Sequence, residues 1–126
     1  NTAMLAGEVA DELINPNGTY SQFAIDTMDY ILGYNPRESS YIVGYGENSP
    51  QQPHHRAASG IGWENFNDDV ANIHTLYGAM VGGPSQANDF AYTDTRSDYI
   101  SNEVAIDYNA GLSGALAFAN QQAALI

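Results

Sequence analysis

The chain has 126 residues, with 15 aspartates and glutamates against three arginines and no lysine, a formal net charge of −12 and no cysteine. Arg37, Arg56 and Arg96 cannot build a basic patch that neutralises phosphates, so nucleic acid and an anionic membrane surface are excluded as partners. Neutral or cationic partners stay open, while the missing cysteines exclude disulfides, thiolate chemistry and cysteine-ligated metals.

In chain order, residues 2–14 read as a helix, with Met4, Leu5, Val9, Leu13 and Ile14 apolar at helical spacing. The sequence opens on Asn1 without a basic region and apolar run, and so reads as a mature, trimmed or internal piece of one domain at most. Asn15 to Thr19 is a turn by its residues. Ser21 then reads as the N-cap of a second helix, with Phe23, Ile25, Met28, Ile31 and Leu32 as its apolar stripe and Gly33 as its C-cap. Two helices joined by a short turn predict an antiparallel hairpin.

Residues 34–68 have no helical period and are rich in Gly, Pro, Asn and Ser. Loops of this length, when ordered, are usually functional. Residues 69–80 read as a third helix, stopped by Gly82-Gly83-Pro84, and a second loop runs over 85–98. Residues 102–124 read as a long last helix, with Val104, Tyr108, Leu112, Ala115 and Phe118 near one face. Its interior glycines each cost about 1 kcal/mol against alanine, a cost that close approach of a neighbouring helix would offset. No segment alternates as a strand, and no apolar run reaches membrane-spanning length.

Pro53-His54-His55-Arg56 is the first candidate for chemistry. In an extended segment His54 and Arg56 point the same way, and an imidazole beside a guanidinium suits hydroxyls or a carboxylate. The plainer reading is a surface loop with an arginine pinned to an acidic neighbour. A metal is not assigned, because His54, His55 and His74 lack spaced partners. The second candidate is Asp94-Thr95-Arg96-Ser97-Asp98-Tyr99, followed by Asn102-Glu103. Asn102 reads as an N-cap, with Glu103 in the first helical turn, where acids are favoured by the macrodipole. Glu103 and Asp107 would then be an unfavourable i, i+4 pair. Crowded carboxylates raise one another toward a general-acid range, which makes a paired-carboxylate hydrolase site possible. Aromatic faces suit sugar rings, and Tyr45, Trp63, Tyr92, Tyr99 and Tyr108 are the candidates, against ordinary core packing for tyrosines outside the loops.

Ser40-Tyr-Ile-Val-Gly-Tyr-Gly-Glu-Asn48, continuing to Pro53-His-His-Arg56, resembles the first signature of glycoside hydrolase family 9. Tyr92-Thr-Asp94, Tyr99, Glu103, Ala105 and Asn109-Ala110 resemble its second. Asp29-Tyr-Ile-Leu-Gly-Tyr-Asn-Pro36 and Leu76-Tyr-Gly-Ala-Met-Val-Gly-Gly-Pro84 are also similar to that family, so the resemblance covers essentially the whole chain.

The resemblance implies an all-α fold, the C-terminal portion of an (α/α)6 barrel with helical hairpins joined by long active-site loops. It implies a secreted endoglucanase that hydrolyses β-1,4-glucan with inversion and without a cofactor. Glu103 matches the general acid, and Asp94 the other acidic position of the second signature. His54 and Arg56 match residues that hydrogen-bond sugar hydroxyls, and Tyr108 an aromatic lining the subsite of the distorted ring. An acid on a helix N-terminus is pushed toward ionisation, so burial and carboxylates such as Asp94 or Asp98 have to outweigh that. The family's catalytic base lies in an Asp-Ala-Gly-Asp type motif that this chain lacks. The expected partners are therefore a β-1,4-glucan and either the missing N-terminal part of the barrel or a second copy of the chain. The alternative is a non-catalytic helical fragment, oligomeric, with at most weak glucan binding.

Overall fold

The structure is a computed structural model that describes residues 1–12 and 18–123. The described residues form four helices: α1 (Thr2–Glu12), α2 (Thr19–Leu32), α3 (Arg56–Ser59) and α4 (Ile106–Ala123). Two single 3-10 turns, Trp63–Asn65 and Asp89–Ala91, add to them. The described residues hold no β-strand, only isolated bridges. They form two compact units, Asn1–Tyr30 with Ile106–Ile126, and Ile31–Ala105.

In the first unit, α1 packs on α4. The contact is built on small residues. Ala3 and Gly7 are the buried line of α1, and Gly111, Leu112, Ala115 and Phe118 that of α4. A Cβ on Gly7 would lie 2.7 Å from Phe118 Cγ, and one on Gly114 2.6 Å from Met4 Cγ. The glycines are thus where the helix axes come close, as the small-residue composition of α4 predicts. The expected hairpin of the first two helices is not the packed pair. Among the described residues α1 has α4 as its helix partner, while α1 and α2 flank an open apolar groove lined by Leu5, Val9, Tyr20 and Phe23.

Two boundaries differ from expectation. The Gly18 carbonyl accepts from Gln22 N at 2.9 Å, so α2 starts at Thr19 and Ser21 lies inside its first turn rather than capping it. Gly33 follows Leu32 with φ 125° and ends the helix as expected. Leu13, Ile14 and the turn at Asn15–Asn17 lie outside the described residues. The last helix begins at Ile106, not at 102.

The helix expected over 69–80 does not form. Its backbone amides are drawn to distant carbonyls instead of those four residues back. Asn72 N donates to Gln51 O, Ile73 N to Ser59 O, His74 N to Ala58 O, and Gly78 N to Val43 O. Tertiary pairing overrides a helical pattern when it satisfies the same donors over long range. The second unit is built this way throughout. Residues 41–43 run against 79–81, where Val43 N donates to Ala79 O and Val81 N to Tyr41 O. Residues 81–83 run against 101–104, and His54 pairs in parallel with Glu103. Tyr41, Ile42, Val43, Ala58, Phe66, Val81 and Tyr92 are its buried apolar residues.

Candidate active site

Glu103 is held by its backbone on both sides. Gly82 N donates to the Glu103 carbonyl at 3.0 Å on one side. On the other, His54 N donates to the Asn102 carbonyl at 2.7 Å, within the His54–Glu103 bridge. Gly82 is required there, because a Cβ would lie 2.3 Å from the Ile100 carbonyl oxygen. Glu103 is therefore in an extended ribbon ahead of α4, not in the first helical turn, and forms no i, i+4 helical pair with Asp107. Its side chain is exposed. The burial that the resemblance calls for is thus not supplied by the described residues.

Asn102 is not an N-cap. It is fully buried, and its amide is satisfied at every position. Nδ2 donates to the Gln52 carbonyl at 2.6 Å and to Asp94 Oδ1 at 2.9 Å. Oδ1 accepts from the Tyr92 hydroxyl at 2.5 Å. Burial pushes the Tyr92 phenol well above its usual range, and the nearby Asp94 charge adds to this, so it stays a donor. Asp94 also accepts from Gln51 N at 2.6 Å and from Gln52 N at 3.1 Å. Its carboxylate is engaged by amide donors, which suits an anchor and not a proton shuttle. Asp98 is engaged likewise. The N–H groups of Ser101 and Ile100, at 2.9 Å and 3.0 Å, hold its carboxyl below the usual carboxylate range.

His54 is oriented by a single strong contact. Its Nδ1 lies 2.6 Å from the Arg96 carbonyl. A carbonyl only accepts, so Nδ1 carries the hydrogen and neutral His54 keeps Nε2 as an acceptor. The ring stands edge-on to Phe66 at 5.8 Å and to Tyr99 at 6.3 Å between centroids. Arg96 is 1% exposed. Its Nε donates to Asn72 Oδ1 at 2.7 Å, Nη1 to the carbonyls of Phe66 and Asp68, and Nη2 to that of Val70. A buried guanidinium satisfied in this way organises the loop that it binds.

The other expected residues fall into two groups. Arg56 opens α3 and lies 5.3 Å over the Trp63 ring, which itself stacks on Phe66 at 5.9 Å. Trp63 is 73% exposed. His54, Phe66, Trp63 and Arg56 thus follow one another in contact, and Arg56 is bound to an aromatic face rather than appearing as a bare surface cation. The chain is not extended through the motif, since His55 caps α3 by accepting from Ala58 N at 3.0 Å. Tyr92 is core, whereas Tyr45 and Tyr99 are exposed. Tyr108 is half-buried in the first turn of α4, in the other unit. Arg37 lies 4.5 Å over the Tyr92 ring and 5.2 Å over that of Tyr41. Among the described residues no cluster of three or more His, Asp and Glu side chains could hold a metal ion. The sequence reading missed the roles of Arg96, Asn102 and Phe66. Its one available signal was that an acidic chain with three arginines must have a use for each.

Comparison with known proteins agrees with the motifs. The family description "Glycosyl hydrolase family 9" matches residues 1–116. Endoglucanase B of Cellulomonas fimi is 47% identical over 119 residues, 93% of this chain and 11% of that protein. Endoglucanase A of Bacillus pumilus is 48% identical over 119 residues, again 93% of this chain and 18% of that protein. Among solved structures, endoglucanase CelQ from Clostridium thermocellum, complexed with cellobiose and cellotriose, matches with a TM-score of 0.83 at 47% identity. The match covers 91% of this chain and 19% of CelQ. The catalytic domain of CelT from the same organism also scores 0.83, at 43% identity over 94% of this chain and 23% of that domain. The chain spans less than a fifth of the length of these curated relatives. Its helices and turns are a portion of the (α/α)6 fold of such catalytic domains. The chain belongs to glycosyl hydrolase family 9.

Proposed function

We propose that this chain carries the acid side of an endo-β-1,4-glucanase site, with Glu103 as general acid and the base on a part of the protein outside these residues. The observation that carries this reading is the division of labour among the carboxylates before α4. Asp94 and Asp98 are turned to amide donors, while Glu103 is backbone-fixed with its side chain exposed. Asp94 then supports the site rather than exchanging protons. The relatives' names as endoglucanases, and the cello-oligosaccharides in CelQ, support glucan as the substrate. A polymeric glucan cannot enter a cell, which favours a secreted enzyme.

In the proposed mechanism Glu103 protonates the leaving glycosidic oxygen. A base about 6.5–9.5 Å away activates water on the opposite face of the sugar, and the anomeric configuration inverts. The base-bearing part also covers Glu103 and supplies the burial that keeps a carboxyl protonated near neutrality. His54 Nε2 accepts from a sugar hydroxyl, and Arg56 and Trp63 contribute polar and aromatic contacts to the rings.

The test uses a completed enzyme, in which this chain replaces the matched segment of Endoglucanase A of Bacillus pumilus. Glu103→Gln is expected to lower turnover of cellotetraose by at least about a hundredfold. A dinitrophenyl cellobioside, whose leaving group needs no proton, is expected to be largely spared. Equal loss on both substrates, or no loss, would overturn the acid assignment.

A further inference from the structure

We propose that Asn102 is the positioning residue for Glu103, with Tyr92 holding Asn102, and this inference rests on the acid assignment above. Asn102 is covalently adjacent to Glu103 and fully buried. Its carbonyl and side-chain amide are tied to two other stretches of chain, residues 52–54 and 92–94. Its carbonyl accepts from His54 N, Nδ2 donates to the Gln52 carbonyl and to Asp94, and Oδ1 accepts from Tyr92. Glu103 is exposed, and its backbone position is set by the ribbon on either side of it. The Asn102 cluster and the Gly82 contact hold it from the two sides of the ribbon.

The arrangement is also directional. The two Nδ2 hydrogens face acceptors only, and Oδ1 faces a hydroxyl donor, so the amide cannot be reversed without two acceptor–acceptor contacts. Tyr92 is itself fixed, because its ring meets Tyr41 edge-on at 5.4 Å and lies under the Arg37 guanidinium at 4.5 Å. Proton transfer to a leaving oxygen is sensitive to displacements of about 1 Å. Binding of the sugar by other residues is much less so. The cluster therefore acts on turnover of substrates that need the proton and leaves their binding alone.

Two variants of the completed enzyme decide this. Asn102→Asp keeps the acceptor for Tyr92 but turns the Nδ2 donor into an acceptor. Tyr92→Phe removes only the hydroxyl and serves as the deciding variant if Asn102→Asp does not fold. For Asn102→Asp, kcat on cellotetraose is expected to fall about thirtyfold, with KM within about twofold and kcat on dinitrophenyl cellobioside within about threefold. For Tyr92→Phe the same split is expected at about three- to tenfold. Parallel loss on both substrates would make the cluster a merely structural feature and overturn the proposal, as would unchanged kcat in both variants. If Glu103→Gln loses both substrates equally, the acid assignment fails and takes this inference with it. If Glu103→Gln shows the split and the two variants do not, only this inference fails.

Discussion

Arg96 is a buried charge with no role in the sugar-binding motifs, and its worth can be measured. Replacing a buried charged group with an apolar one of similar size is often tolerated when its partner is replaced too. Here the partners are backbone carbonyls of Phe66, Asp68 and Val70 and the Asn72 side chain, and they would stay behind. Each acceptor orphaned in the interior costs about 1–3 kcal/mol, reduced where the loop opens to water. Arg96→Met is therefore expected to lose on the order of 3–5 kcal/mol. Urea unfolding followed by the fluorescence of Trp63, the sole tryptophan, reads both the stability and the loosened Phe66 stack. Asp98 yields a pH prediction. Its folded-state carboxyl lies below the usual range because Ser101 N and Ile100 N donate to it. The stabilisation is then present above the unfolded value of about 3.9 and is lost as pH falls through the lower folded value. Asp98→Asn should be less stable than the parent chain at pH 6, with the gap closing below about pH 4. A gap independent of pH would contradict the attribution to charge. At this scale the motif letters of the candidate site were legible, but their partners were not. Glu103 and His54 stand out in sequence, whereas Asn102 looks like an ordinary cap until Tyr92, Asp94 and the distant Gln52 converge on it.

Among the elements, helices with strong local signals formed and the one without long-range freedom did not. Residues 69–80 have apolar spacing suited to a helix, yet four of their amides find carbonyls in residues 43–59. No local pattern announces that competition. The start of α4 was misread for the same reason, since residues 101–104 are already committed to a ribbon with 81–83. The small residues of α4 were legible and correctly implied a close neighbour, though not that α1 would be the one. This gives a test of packing against propensity. Gly7→Ala gains about 1 kcal/mol in helix propensity but puts a Cβ 2.7 Å from the rigid Phe118 ring. Overpacking of this kind typically costs about 1–3 kcal/mol, so a net loss of stability is expected in thermal or urea unfolding. A net gain would mean that α1 and α4 can separate freely.

Over the whole molecule, two motifs pointed to the family, while the (α/α)6 architecture came only by resemblance. The chain is a family 9 segment that spans less than a fifth of the length of Endoglucanase B of Cellulomonas fimi and Endoglucanase A of Bacillus pumilus. Large side chains such as Tyr34, Tyr77 and Phe90 are well exposed, a pattern common where a surface packs against other structure. The central claim is that these residues hold the acid and not the base. The most direct test is reducing-sugar release from carboxymethylcellulose by the chain alone and by the completed enzyme, each beside Glu103→Gln. The account predicts no release by the chain alone, release by the completed enzyme, and loss of that release in the variant. Release by the chain alone that survives Glu103→Gln would contradict it.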